Sequence, residues 1–426
     1  MSKGNIQRII EQHLTVENSF VKSIQITNES DDSEVIVPNG YSIRFINCQM
    51  KNVTARNSAI HFFCTNVKEK LQLTDCVVSF DGGAISGILM CTNTRINIKK
   101  LPKELGTDGK ESSVMITDSL DFTNTESFWN EVTWNDTGSG TTIVNSRIEM
   151  SDCKISSDAE LTVSGTEWYN LLGNYNFKKE VKIQPLEPVL GATDPELAMD
   201  YNKYNTTSVS TNKIRGTAGV GAGCIVHFKG CKTLSNDKPF EVKKSELNFY
   251  DIEKIQSKKT TVEYTDASGY FSNCKIDAQE SCVTLKGAGN IHFDKCELTS
   301  QKTAIDITGP GANCTVLSGK ITSQEDCLSI TSATVDMYGV EKVEAQQNCI
   351  KADNATCMLF GCKDLEAKEN TFDLKNGAVL DSDKSEKLKG KILFKGENSS
   401  FIVRGDTKLE AEDKVVSGSG VFVSKP

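Results

Sequence analysis

The chain has 426 residues, 38% of them hydrophobic, with 30 aromatic side chains and 8 prolines. That composition is globular and excludes a disordered or low-complexity chain. The 48 basic and 57 acidic residues are interleaved and leave a net charge of −9, so no basic stripe exists to track a phosphate backbone and nucleic acid is not an expected partner.

Ile6, Ile9, Ile10 and Leu14 form an i, i+3, i+4, i+8 stripe behind Asn5, which predicts a short amphipathic helix over 1–20 with Asn5 as N-cap. The segment lacks the apolar core of a signal peptide, and no stretch reaches the ~18 apolar residues of a membrane span. Synthesis in a cytoplasm without a signal peptide, and no membrane span, are the expectations.

From 21 to 165 the pattern is strand-like but irregular. A Cys-x-apolar element recurs at Cys48, Cys76 and Cys153, at separations of 28 and 77 residues, which predicts longer loops leaving the fold at 99–113 and 129–140. Residues 166–223 break the pattern. They hold Pro185, Pro188 and Pro195, a glycine cluster, and the aromatics Trp168, Tyr169, Tyr175, Phe177, Tyr201 and Tyr204. Two readings stand side by side: an irregular insertion whose Trp168, Tyr169, Tyr175, Tyr201 and Tyr204 contact a ligand or partner, or a segment that simply packs on the scaffold. The GxGxG at 219–223 does not follow a strand into a helix and carries no nucleotide-binding argument.

Residues 224–380 repeat. One apolar position recurs at Phe240, Val262, Val283, Ile305, Leu328, Ile350 and Phe372, at steps of 22, 21, 22, 23, 22 and 22; a second recurs at Leu234, Ile255, Ile276, Leu298, Ile321, Val343 and Leu365. Between them run short alternating segments broken by Gly, Asn, Asp and Ser, the mark of half-buried strands joined by tight turns. A period of about 22 with three short strands and no helix predicts an all-β fold, a right-handed single-stranded parallel β-helix. Coils stack at ~4.8 Å, so equivalent residues touch and must match. The position before the first column is small throughout (Pro239, Thr261, Cys282, Ala304, Cys327, Cys349, Thr371), and a second small column is read at Cys231, Cys274, Cys296, Gly319 and Cys362.

Residues 381–426 carry Ile392, Phe394, Phe401, Val403, Val421 and Val423, which predict strands that close the last coil or pair with another chain. The fifteen cysteines are odd in number, and neither a CxxC pair nor HxxxH-type spacing of His13, His61, His227 and His292 occurs. Buried structural thiols, with no metal and no cofactor, are therefore expected. Stacked pairs Cys274/Cys296 and Cys327/Cys349 would lie within disulfide reach, with a ladder of small reduced side chains as the default.

Coils 301–375 resemble the polygalacturonase family of β-helix glycoside hydrolases at 301–307 (QKTAIDI), 325–330 (EDCLSI), 347–350 (QNCI) and 371–375 (TFDLK). The resemblance implies a shared scaffold. It also places Thr303 at the family's first catalytic Asp, Asn348 at its His, and Phe372 and Leu374 at its uronate-binding Arg and Lys. Glu325 and Asp326 alone remain as weak catalytic candidates, short of the separated acid and base that inverting hydrolysis requires. Pairs such as Asp31–Asp32 and Asp381 with Asp383 are expected in solvated turns. A signal-less acidic β-helix also resembles the virion proteins of tailed phages, where such folds serve as spikes, fibres, baseplate or decoration components. That analogy implies a non-enzymatic structural protein whose partners are copies of itself or other structural proteins. The alternatives are a protein that binds or degrades a surface polysaccharide, and a bacterial cytosolic scaffold.

Overall fold

Strands with apolar residues at every second position must bury one face, and here they do so by stacking in parallel. The computed structural model describes residues 4–16, 23–102, 114–138, 140–186, 223–395, 398–410, 416–417 and 420–425. It divides into two compact units, 1–226 and 227–426. In both, every described strand pairing is parallel, and each strand pairs with its equivalent one coil later.

In the second unit both periodic columns are rungs of one interior. Phe240 pairs with Val262, Val262 with Val283, Val283 with Ile305, Ile305 with Leu328, Leu328 with Ile350 and Ile350 with Phe372. The column from Leu234 to Leu365 is likewise in register at every step. These residues are buried, and Phe228, Phe249, Phe271 and Phe293 add an interior stack with ring centroids 4.9–5.6 Å apart. Stacking continues past 381: Phe401 pairs with Leu380 below and Phe422 above. The second small column differs from expectation. Between Cys231 and Cys362 it also passes through Ile252 and Val340, whose carbonyls accept the same corner hydrogen bonds as those of Cys274 and Cys296. Gly319 is required there. Its φ is +92°, and a Cβ on it would lie 2.1 Å from the Cys296 carbonyl oxygen.

The first unit has the same construction with shorter, uneven coils. Ile24, Ile43, Ile60, Val78, Ile96, Ser127, Ile148 and Trp168 form one column, at steps of 19, 17, 18, 18, 31, 21 and 20 residues. The step of 31 contains residues 103–113, which lie outside the described part. Cys48 and Cys76 sit at opposite ends of equivalent strands, so they are not equivalents, and this is why their 28-residue separation fits no coil. The expected loop at 129–140 is instead mostly two strands, Glu126–Asn130 and Val132–Asp136. The expected insertion at 166 is also corrected: Glu167–Leu171, Asn174–Phe177 and Val181–Gln184 form a regular coil paired to the one before. Residues 187–222, with Tyr201 and Tyr204, are outside the described part. Most non-glycine corners in the left-handed region are filled by Asn and Asp, with Cys64, Glu131 and Leu172 as exceptions, and one run of them bonds along the column: Asn145 to Asn124 at 2.6 Å, Asn124 to Asn93 at 3.1 Å, Asn93 to Asp75 at 3.2 Å.

The helix Asn5–Val16 buries Ile6 and Ile10 against the strands Ser23–Thr27 and Ser30–Val37. Its cap differs from the prediction. Asn5 is the first helical residue, and the free amides are met by Asp31, which accepts from the Gln7 amide at 3.1 Å and from the Ser33 amide and hydroxyl at 2.9 and 2.6 Å. Asp31 is thus buried rather than solvated; Asp32 beside it is exposed. Burial pushes the Asp31 carboxyl up, but the bonds from Ser33, Gln7 and Ile6 outweigh it and hold it below the usual carboxylate value.

Candidate functional site

On the outer face of the first unit, successive rungs place Arg44, His61, Ser79, Asn97, Phe128, Glu149 and Tyr169 in one outward column. Asp81, Lys99, Asn130, Ser151 and Leu171 form the column beside it. Between them lies an open groove of about 260 Å³ lined by Ser79, Asn97, Lys99, Phe128, Asn130, Glu149 and Leu171 among others. Beyond the groove, the two columns begin in a hydrogen-bonded chain. Arg44 Nε donates to His61 Nδ1 at 3.2 Å, and His61 Nε2 meets Asp81 Oδ2 at 2.9 Å. Asp81 also accepts from the Ser79 hydroxyl at 2.9 Å and has Lys99 Nζ at 3.8 Å. Arg44 can only donate, so His61 Nδ1 accepts from it while Nε2 faces Asp81, and both ring nitrogens are engaged within the column.

On the strands that carry Phe128, Glu149 and Tyr169, charge and ring alternate beside the groove. Arg95 lies 3.4 Å from Glu126 and 5.5 Å over the Phe128 ring; Arg147 pairs with Glu149 and lies 6.0 Å over Tyr169. Burial works to lower Arg147, and the adjacent Glu149, with Glu167 and Tyr169, outweighs it and raises the guanidinium's value. Burial, then Glu167, pushes the Tyr169 phenol up. Asp81 and Glu149 lie three rungs apart, roughly 14 Å at ~4.8 Å per rung. Acid and base acting across one glycosidic bond need ~6.5–9.5 Å.

In the second unit Asp326 is buried and accepts from the Asn348 amide at 3.2 Å and its Nδ2 at 2.6 Å, with Lys351 Nζ at 3.5 Å. Asn348 in turn accepts from Asn370 at 2.9 Å. The chain Asp326–Asn348–Asn370 therefore ties three coils together. Glu325 is half-buried and takes part through its backbone, its amide donating to Ser323 Oγ at 3.0 Å. Asp306 projects outward in register with Ser329, whose own neighbour one rung on is Lys351. Burial pushes the Asp306 carboxyl up, and the Ser329 hydroxyl, Lys286 and Lys351 only partly offset this.

A family model described as "Right handed beta helix region" matches residues 260–415, within the second unit. The fold is a right-handed parallel β-helix. No curated protein and no solved structure gives a significant match.

The residues singled out from sequence scatter over this β-helix. Trp168 and Tyr175 point inward and are 0% and 1% exposed, so they are core residues, not surface contacts. Tyr169, one position from Trp168, faces out and joins the groove column. Asp381, expected in a turn, lies in the strand Val379–Asp383 and is gripped by Arg404 at 2.6–3.0 Å. The groove itself was missed. Its residues belong to the outward, polar half of each alternation, which carries no repeat. Asp306 was missed for a related reason, since it lies within QKTAIDI between two inward isoleucines and occupies a scaffold letter rather than a motif position. A ladder of His227, Tyr250, Tyr270 and His292 on the second unit's surface was also unforeseen. Its rings stack on one another at 4.7–5.8 Å and so spend their faces within the ladder. Among the described residues no three His, Cys, Asp or Glu side chains are placed to hold a metal ion, and no helix is long and apolar enough to cross a membrane.

Proposed function

We propose that this chain is a non-enzymatic structural and assembly protein, a stiff β-helical scaffold that works through its surfaces, and that it serves in a virion as a spike, fibre, baseplate or decoration component. The observation that carries the non-enzymatic reading is the engagement of the charged groups in and beside the groove: His61 is held at both nitrogens, Glu126 and Glu149 each face an arginine, and Asp81 faces Lys99. Stiffness follows from coils that each bond to the next. The virion setting is supported by likeness of fold alone. Native mass spectrometry of the chain, purified and in its source lysate, tests the reading. Assembly with itself or with particle proteins is expected, and association with cellular proteins alone points to a cytosolic scaffold instead. A chain that stays monomeric and releases reducing ends from an anionic glycan, with release lost on Asp306→Asn, overturns it.

A second reading, recognition of a surface polysaccharide, is favoured by the groove. The exposed carboxamides of Asn97 and Asn130 flank the Phe128 ring, the pairing of planar polar groups with an apolar surface that a sugar ring requires. On this reading Asn97→Ala with Asn130→Ala abolishes retardation in affinity electrophoresis through the bound glycan; unchanged mobility of the double variant removes it.

A further inference from the structure

The fifteen cysteines are free thiols, fourteen of them buried, and burial pushes those of Cys231 and Cys314 up to about 12. Such thiols are inert. Cys274 and Cys296 depart from the rest. They occupy the same corner on adjacent rungs, since Lys275 and Glu297 are register partners and the Glu297 amide donates to the Cys274 carbonyl. One rung sets their Cα atoms about 5 Å apart, inside the range a disulfide spans. The Cys296 sulfur also leans back toward the lower rung, donating to the Phe271 carbonyl oxygen at 3.4 Å, while Cys274 donates to the Ser272 carbonyl at 3.2 Å, and each thiol shifts the other's proton affinity. Cys327 and Cys349 are stacked in the same manner, and their sulfurs likewise donate to carbonyls, those of Glu344 at 3.1 Å and Val343 at 3.6 Å, but these two thiols act on each other only through charge.

We propose that Cys274 and Cys296 form a dithiol that hydrogen peroxide oxidises to a disulfide, a reversible staple between two coils of the second unit. The sulfur of Cys296 attacks one peroxide oxygen, the O–O bond breaks, and one water leaves as Cys296 becomes a sulfenic acid. The sulfur of Cys274 then displaces that hydroxyl, which departs with the Cys274 proton as a second water. Two thiols and one peroxide become one disulfide and two waters. The neighbouring Cys274 thiol holds Cys296 below the ordinary thiol range despite burial, whereas Cys296 and burial push Cys274 up, so Cys296 is the attacking sulfur. Exposures of 1% and 3% admit a small neutral oxidant on local opening and exclude a protein disulfide as oxidant.

The test is peroxide treatment of the full chain, trapping of remaining thiols with N-ethylmaleimide, and non-reducing peptide mapping. A 274–296 linked peptide that forms ahead of any 327–349 link, disappears with dithiothreitol and accompanies a rise of several degrees in melting temperature is expected. Cys274→Ser is expected to leave Cys296 as a sulfenic acid that dimedone labels. Linkage of 327–349 first, over-oxidation of Cys296 without linkage, or full alkylation of both cysteines after a peroxide dose that oxidises a free thiol each overturns the proposal. The wild-type map decides the matter even where the variant fails to fold.

Discussion

Replacing Asp31 by Ala leaves the amides of Ile6 and Gln7 without their acceptor at the start of a helix that has one buried face to hold it. Loss of a capping side chain costs ~1 kcal/mol, and urea unfolding followed by circular dichroism should register a loss of about that size at pH 7. Because the folded carboxyl is held below its usual value, its contribution is present above about pH 4 and drains as pH falls through the folded value. Asp31→Asn, which keeps an acceptor and loses the charge, should therefore be less stable than wild type at neutral pH and equal to it in acid. Asp306 carries the opposite sign. Its folded carboxyl is raised, so stability is highest below the ordinary carboxylate value and falls as pH rises toward the folded one. Asp306→Asn, neutral at every pH, is expected to match wild type in acid and exceed it at pH 7; a variant less stable at pH 7 would show that ionised Asp306 is held by Lys286 and Lys351 more strongly than burial opposes it.

At the scale of the corner, two glycines with positive φ separate conformational cost from steric cost. Gly319 has the Cys296 carbonyl oxygen 2.1 Å from where a Cβ would sit, whereas Gly339, at φ +59°, has nothing within 4 Å. Both alanine variants bear the ~1–2 kcal/mol of a left-handed residue, and Gly319→Ala must also push the neighbouring rung aside. Its loss of stability in matched denaturant titrations should be clearly the larger, and equal losses would contradict the corner geometry. The same scale explains what the sequence reveals. The column from Phe240 to Phe372 is legible because its coils hold to 21–23 residues and like must stack on like. The first unit obeys the same rule from Ile24 to Trp168, but steps of 17 to 31 hide it from a search at fixed period. Trp168 and Asn170 are inward and Tyr169 outward, an alternation present in the letters that aromatic clustering obscured. Groove and surface ladder stay illegible, because outward positions need match only their ligand or one another and leave no periodic trace.

At the scale of the molecule, a solenoid is defined by coils that are interchangeable in register, each bonded to its neighbours and to nothing further away. Its coils are therefore removable in whole units and in no other way. Deletion of residues 283–304 removes one complete coil and joins Cys282 to Ile305, returning an inward residue to the place that Val283 held above Val262. Deletion of 283–293 takes half a coil and delivers Asp294 there instead. The most direct test of the account is the thermal unfolding of these two variants beside wild type by circular dichroism. The parallel β-helix predicts that the full-coil variant keeps a strand-rich spectrum and a cooperative transition close to wild type while the half-coil variant loses both; equal damage from the two deletions would contradict it.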